Sequence, residues 1–475
     1  MGDAWLNEVA VPGRSITRLA DTIGESRLLR VESAASRLRT ALHGRRIVNI
    51  NSTPTGGGAA EMLQNMVAYV RDLQIDCRWL VIGGDTEFFT ITKRIHNRVY
   101  GFRGDSGGLG GVERRHYERV QRAVAERLAV FLRPDDLVLI HDPQPLGLAP
   151  AIRDLGPRVV WRCHIGTDQH NEFAEEGWDF LRPYLDGLDA YVFTRAEFAP
   201  KWLDPDRVAT IPPSIDPSSP KNQPLDGPTA QRILAHCGLR QGEPGPTPMF
   251  VRSDGSMAPL RRHADVLQSG PPAPQGAPLV VQVSRWDRMK DMGGVMQAFA
   301  DNLAWLGDAH LALIGPAIAG AADDPTAAEV LVGCMTLWRT LPHDARGRIH
   351  LACLPMTDPE ENAVMVNAVQ RQAAVVTQMS LAEGFGLTVV EAMWKSRPVI
   401  ASRVGGIQEQ VVDGTGVLVP PADHEALASA LAGLLSDPSR RDTIGQAAHE
   451  RARSFFLPDR HLLQYGELFL GLCAR

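Results

Sequence analysis

Arg46-Ile-Val-Asn-Ile50 is a short apolar run. It passes through Asn51-Ser-Thr-Pro-Thr-Gly-Gly-Gly58 into a longer amphipathic stretch, Ala59 to Leu73. An apolar strand, a glycine turn and a helix form the repeating element of α/β folds. Working outward, Trp79-Leu-Val-Ile82, Leu137-Val-Leu-Ile140, Val159-Val-Trp161 and Ala190-Tyr-Val-Phe193 read as further strands, and Glu113 to Leu132 as a long helix. The pattern restarts downstream at Leu279-Val-Val-Gln-Val283. It continues through Leu311-Ala-Leu-Ile314, Ile349-His-Leu-Ala352, Ala374-Val-Val-Thr377, Pro398-Val-Ile-Ala401 and Gly416-Val-Leu-Val419. These runs are apolar throughout instead of alternating, as expected of strands covered by helices on both faces. The chain therefore reads as α/β, with two doubly wound domains facing each other across a cleft.

Between the two series lies a stretch dense in proline and glycine, residues 241–278, which reads as a linker or insertion and as the domain boundary. The expected organisation is a helical extension over 1–45, a first domain over 46–240, a second over 279–455 and a last helix over 456–475. Whether that helix returns to the first domain is left open.

The chain has 475 residues, 44% hydrophobic and 22% charged, enough to build sizeable cores. Forty-nine basic against 55 acidic residues give a net charge of −6, which argues against nucleic acid as a partner. No apolar run approaches the roughly 18–20 residues of a membrane span, and Met1 to Ala10 does not read as a signal peptide. Six cysteines are scattered without a CxxC, so reduced thiols in a cytoplasmic protein are expected.

In open α/β sheets, ligands bind where strands end, and the candidate residues cluster there. Gly56 to Gly58 bare backbone N–H groups at a helix start, but match neither a dinucleotide fingerprint nor a phosphate loop; a flexible turn and a ligand loop both fit. Gly101 to Gly111 reads as a mobile surface loop. His141-Asp142-Pro-Gln144 and Cys163-His164 each close a strand, and either structure or function would account for them. Arg285 and Lys290 share one loop after a strand and can aim at one polyanion, although an exposed basic loop also fits. Ser380-Leu-Ala-Glu-Gly-Phe-Gly-Leu-Thr-Val-Val-Glu-Ala-Met-Trp394 is the richest stretch. Gly384, Phe385 and Gly386 open a loop, and Leu387 and Thr388 begin a helix whose dipole favours an anion. Of Glu383 in the loop and Glu391 in the helix, one could accept from a sugar and the other take a ribose diol, against capping and solvation as the plain alternative. Asp204-Pro-Asp206 reads as a turn and not as a metal site.

These motifs, with Val404-Gly-Gly-Ile407, resemble the retaining GT-B glycosyltransferases of the glycogen-synthase-like type. The resemblance is closest to the glycosyltransferring trehalose synthases. It is carried further by Glu87-Phe-Phe-Thr-Ile-Thr-Lys-Arg-Ile-His-Asn97, Trp161-Arg-Cys-His-Ile165 and Pro213-Ser-Ile-Asp-Pro217, and spans about residues 45 to 460. One departure is Gly166, where the resemblance leads one to expect an acidic residue. The resemblance implies two Rossmann-like domains and glucose transfer from UDP-, ADP- or GDP-glucose to free glucose, giving α,α-trehalose. It implies no metal and no further cofactor. Arg285, Lys290, Glu383 and His164 would be catalytic; Gly57, Gly58, Gly384, Phe385, Gly386, Leu387, Thr388 and Glu391 would contact the donor. His141, Asp142, Gln144, Lys93 and Asn97 would contact the acceptor. Partners would be small sugars and the nucleotide-sugar, with a homodimer left open. A retaining trehalose phosphorylase, or a GT-B transferase with another acceptor, is the alternative.

Overall fold

The computed structural model describes residues 5–55, 57–242, 245–318 and 326–474. The chain divides into two compact units, residues 1–214 with 458–475, and residues 215–457. Unit 1 is built on a seven-stranded sheet: β1 (Leu6–Glu8), β2 (Ile47–Asn51), β3 (Cys77–Ile82), β4 (Leu137–His141), β5 (Arg158–Cys163), β6 (Ala190–Phe193) and β7 (Val208–Thr210). Its spatial order is β1-β3-β2-β4-β5-β6-β7, parallel except for β1 against β3. Every residue of β2 and β4 is buried, which explains why they are mostly apolar and leaves Asn49, Asn51 and His141 as buried polar side chains. The winding direction reverses between β2 and β4, so the loops after these strands flank the position where α/β sheets bind ligands.

Unit 2 carries a small hairpin, β8 (Met249–Val251) and β9 (Met257–Pro259), and a second seven-stranded sheet. That sheet holds β10 (Asp265–Leu267), β11 (Leu279–Val283), β12 (His310–Pro316), β13 (Ile349–Leu354), β14 (Val375–Gln378), β15 (Val399–Ser402) and β16 (Val417–Val419). Its order is β10-β13-β12-β11-β14-β15-β16, with β10 antiparallel to β13 and the others parallel. Here the reversal falls between β11 and β14. The loops after those two strands are the ones that carry Arg285, Lys290 and Glu383.

Three boundaries differ from the sequence reading. Residues 1–45 are no extension: β1 lengthens the first sheet, and helix Glu25–Leu42 packs against helix Pro458–Cys473, with Arg27 and Asp459 joined by two bonds of 2.7 Å. Residues 241–278 are no linker between units, because β8 to β10 belong to unit 2. Arg252 holds the hairpin to Asp358 at 2.6 Å and Glu360 at 2.9 Å, and Arg262 reaches Glu361 at 2.9 Å. The chain instead leaves unit 1 after Ser214 and returns at Pro458. Within unit 1, Arg460 donates to the carbonyls of Pro212 and Pro213, at 2.5 and 2.7 Å, and His461 Nδ1 lies 3.0 Å from Ser214 Oγ.

Candidate active site

Strand β11 ends in a loop whose Trp286 is fully buried and donates to the Pro316 carbonyl at 2.9 Å, fixing where the flanking cations point. Gln282, buried inside β11, donates to the Lys290 carbonyl at 2.7 Å and accepts from Met379 N at 3.2 Å. Leu381 N donates to the Met289 carbonyl at 2.8 Å. The loops after β11 and β14 are thus sewn together, and Lys290 Nζ meets Glu383 Oε2 at 2.5 Å. Ser380 donates to the same carboxylate oxygen at 3.1 Å. Behind them Gln378 donates to Ser380 Oγ at 2.9 Å and accepts from Thr388 Oγ1 at 2.9 Å. Arg285 is 42% exposed and pairs with Asp287 at 3.1 Å, leaving part of the guanidinium facing solvent.

Gly386 caps helix Leu387–Trp394 with φ +90°, a conformation that side chains rarely adopt. A Cβ on Gly406 would stand 2.5 Å from the Gly384 carbonyl, so the downstream Gly405-Gly406 turn can close on the Gly384–Gly386 loop only without a side chain. Gln410 donates to the Phe385 carbonyl, and the Phe385 ring packs on Phe456 at 5.6 Å. The helix N-terminus, with Leu387 and Thr388 partly exposed, lies at the same sheet reversal as Lys290 and Glu383. Glu391 is placed differently from the sequence reading. It is fully buried, with Lys221 Nζ 3.4 Å away, and does not stand open to a ribose diol in this conformation.

In unit 1, Asp142 follows β4 with φ +65°. Its Oδ1 accepts from His164 N at 2.8 Å, and its carbonyl accepts from Trp161 Nε1 at 3.0 Å, which holds the strained residue in place. Burial pushes the Asp142 carboxyl up to about 6. His141 and His164 stack with ring centroids 5.4 Å apart, and burial followed by the Arg162 charge drives His141 down to about 3. The Gln144 carbonyl accepts from Gln121, which fixes the end of this loop. Gly57, with φ +81°, and Gly58 open helix Gly58–Asp72 beside the same reversal; Gly56 lies outside the described residues.

Lys93 and Asn97 sit one turn apart on helix Thr86–Val99. The structure sets Asn97 against Gly104, where a Cβ would approach its Nδ2 to 2.7 Å. The 101–111 segment is anchored, in contrast to the mobile loop read from its glycines. Arg94 bonds Asp105 at 2.5 Å and the Gly108 carbonyl at 2.6 Å, while Arg98 reaches the Gly107 carbonyl at 3.3 Å. Asp204 caps a turn by accepting from Asp206 N at 3.0 Å. Among the described residues, no group of three His, Cys, Asp or Glu side chains could hold a metal, and no helix is long and apolar enough to cross a membrane. The sequence reading missed Asn49, Arg162, Gln282 and Gln378. Asn49, Arg162 and Gln282 are polar side chains within mainly apolar strands and Gln378 closes one, and those polar positions were the available signal.

Comparison with known proteins agrees with the fold. The family described as "Trehalose synthase, N-terminal domain" matches residues 49–200, and "Glycosyl transferases group 1" matches residues 359–451. A trehalose synthase from Rubrobacter xylanophilus is 34% identical over 93% of this chain and 93% of its own. One from Pyrococcus horikoshii is 33% identical over 97% of each. A trehalose phosphorylase from Grifola frondosa is 26% identical over 93% of this chain but only 60% of its own length. Among solved structures, an α,α-trehalose 6-phosphate synthase from Burkholderia multivorans superposes with a TM-score of 0.66 at 19% identity, covering 91% of this chain and 99% of its own. That likeness shows the shared fold.

Proposed function

Because the chain belongs to the trehalose synthase family of GT-B glycosyltransferases, we propose that it joins the glucose of a nucleotide-glucose to free glucose, with retention, to give α,α-trehalose. The observation that carries this reading is the Lys290–Glu383 pair beside the Gly384–Gly386 loop and the N-terminus of helix Leu387–Trp394. One cation, one carboxylate and a row of amide donors together suit a diphosphate leaving group attached to a hydroxyl-rich sugar. Arg285 and Lys290 take the charge that develops on the departing phosphate. Glu383 and the amides of Gly384 to Gly386 hold the glucose hydroxyls, and Glu391 takes the ribose once Lys221 moves aside. Gly57 and Gly58 approach the donor through bare backbone. On the acceptor side, Asp142, Gln144, Lys93 and Asn97 offer groups for neutral hydroxyls; His141, buried and bonded through its ring to His164, contributes by holding that residue, and His164 stands next to the reacting sugar.

The bond from the glucose anomeric carbon to the phosphate oxygen breaks, and one to the acceptor's anomeric oxygen forms on the same face. The acceptor hydroxyl proton passes to the leaving phosphate. Glu383 is engaged by Lys290 and Ser380, which suits a binding carboxylate better than a nucleophile. Side chains supply the cationic charge at the leaving group, so no resident metal is assigned. The test is product analysis with UDP-, ADP- and GDP-glucose plus glucose. A non-reducing disaccharide cleaved by trehalase is expected, whereas turnover with inorganic phosphate and no nucleotide would favour a phosphorylase.

A further inference from the structure

We infer that Asn49 and Arg162 are positioning residues that hold His141 and His164 as neutral imidazoles of one fixed tautomeric sense, in a single row of hydrogen bonds. Both are polar interruptions of apolar strands. Arg162 pairs directly with His141 in the β4–β5 register, and Asn49 lies two positions back on β2, opposite Leu139. The row has ends whose polarity cannot be adjusted. Arg162 Nε can only donate, and it faces His164 Nδ1 at 3.4 Å. At the other end, Asn49 Nδ2 donates to the Arg78 carbonyl at 3.3 Å, which turns Asn49 Oδ1 toward His141 Nε2 at 3.1 Å. Between them His141 Nδ1 and His164 Nε2 stand 3.1 Å apart.

Only one assignment gives each of the three contacts a single proton. Arg162 Nε–H donates to His164 Nδ1, His164 Nε2–H donates to His141 Nδ1, and His141 Nε2–H donates to Asn49 Oδ1. A second proton on His164 would set N–H against N–H at Arg162, and a second proton on His141 would do the same at His164. Asn49, His141 and Arg162 are all buried, so water does not relieve such a clash. The surroundings work the same way. Arg162 faces the row from β5, and His461, itself held low by burial and then by Arg460, acts on His164 from helix Pro458–Cys473, where Tyr465 is also buried. Asp142 is the acidic neighbour, and its Oδ1 is committed to His164 N. Burial first, and the Arg162 charge second, keep His164 well below its ordinary range and His141 at about 3.

The consequence for catalysis rests on the function proposed above. With both ring nitrogens committed, His164 has no proton to exchange, so it serves the sugar without proton transfer, and the row keeps that ring in place. The tautomers themselves do not depend on that reading. Long-range proton–nitrogen correlation spectra of the full chain labelled at histidine test them, with His141→Gln and His164→Gln giving the assignments. Both rings are expected as Nε2–H tautomers that do not titrate between about pH 5.5 and 8. Asn49→Asp places a carboxylate at the end of the row, which favours a charged His141 and sets its Nδ1–H against His164 Nε2–H. A new titration at His141 is expected, with kcat falling about tenfold per pH unit below it. An Nδ1–H tautomer or a charged ring in the wild type overturns the inference, and so do Asn49→Asp spectra and pH profile that match the wild type. If Asn49→Asp does not fold, the wild-type spectra decide alone. Wild-type tautomers as expected in an enzyme that makes no trehalose would count against the function and leave the row intact.

Discussion

Lys290 and Glu383 neutralise each other across 2.5 Å, with their side chains only 14% and 13% exposed. In the function proposed above, an arriving diphosphate would compete for Lys290 and release the carboxylate toward the sugar hydroxyls. The two loops that bring them together come from either side of the sheet reversal, so this pair couples sheet topology to chemistry.

Arg285→Ala should cut turnover by at least ~100-fold, the effect of losing a contact made in the transition state. Its melting temperature should hardly move, because the guanidinium is 42% exposed and its ion pair is with Asp287, two residues along the same loop. Glu383→Gln should show a comparable loss of kcat. Glu383→Ala is expected to lower stability as well, since it strips a largely covered lysine of its carboxylate. Wild-type kcat in Arg285→Ala, by steady-state kinetics, would move the donor phosphates away from this loop.

The strands and the site loops were legible in the sequence because both leave local signatures. Leu279–Val283 is apolar except for Gln282, and a Gly-Phe-Gly at a strand end means little except a loop that needs bare backbone. What Gln282 does was hidden, because a lone polar residue in a strand does not say which two loops it will join. The unit boundary was missed for a related reason. Proline and glycine between 241 and 278 mark turns, and these turns fold into a hairpin pinned by Arg252. The real crossing at Ser214 is defined by Arg460 and His461, about 250 residues further along the chain, and is recognisable only in three dimensions. β1 is three residues long with one apolar side chain, and its pairing is dictated by β3.

Gly166, where an acidic residue was expected, has a physical explanation. A Cβ built there would stand 2.3 Å from Phe198 Cγ, and Phe198 is 1% exposed, held in the core of unit 1. Restoring a carboxylate should therefore overpack the site. Gly166→Asp and Gly166→Ala should each lose ~1–3 kcal/mol in denaturant unfolding, and by similar amounts, because the clash arises at the first side-chain atom. A neutral Gly166→Asp would mean that Phe198 moves readily.

Acid should destabilise the fold over a defined range. His310 and His350, 3.0 Å apart in unit 2, are both held at about 4 by burial, and His141 at about 3, against an ordinary 6.5. Their folded values lie below the unfolded one, so their contribution is complete above about pH 6.5 and is lost as pH falls toward 4. Each proton taken up on unfolding steepens the loss by ~1.4 kcal/mol per pH unit. Asp142 opposes them: raised from 3.8 to about 6, it stabilises at low pH and loses that contribution as pH rises through 6. One group does not offset three. Calorimetric melting should drop steeply between about pH 6.5 and 4.5, and His350→Gln should shallow the slope. A melting temperature that stays flat over that interval would show that these histidines protonate in the folded state.

The acceptor should be a neutral sugar. A sugar phosphate needs a cluster of uncommitted cations, and the arginines of unit 1 near the candidate loops are already engaged. Arg162 is fully buried and directed at His164 and Thr194. Arg94 is bonded to Asp105 at 2.5 Å, Arg98 lies 3.2 Å from Glu176, and Arg195 is 2.5 Å from Asp168. Lys93 adds a single amine, which a hydroxyl can use but which alone makes a weak phosphate site. Asp142, following directly on His141, places a carboxyl where a second negative charge would be repelled once it ionises above about pH 6. With nucleotide-glucose as donor, kcat/KM for glucose should exceed that for glucose 6-phosphate by at least ~100-fold, a difference of about 2.7 kcal/mol in transition-state binding. Asp142→Asn should narrow that ratio by removing the repulsion. Equal turnover of the two acceptors, or a reducing product from glucose, would overturn the assignment of the acceptor and leave the donor site of Lys290 and Glu383 as it stands.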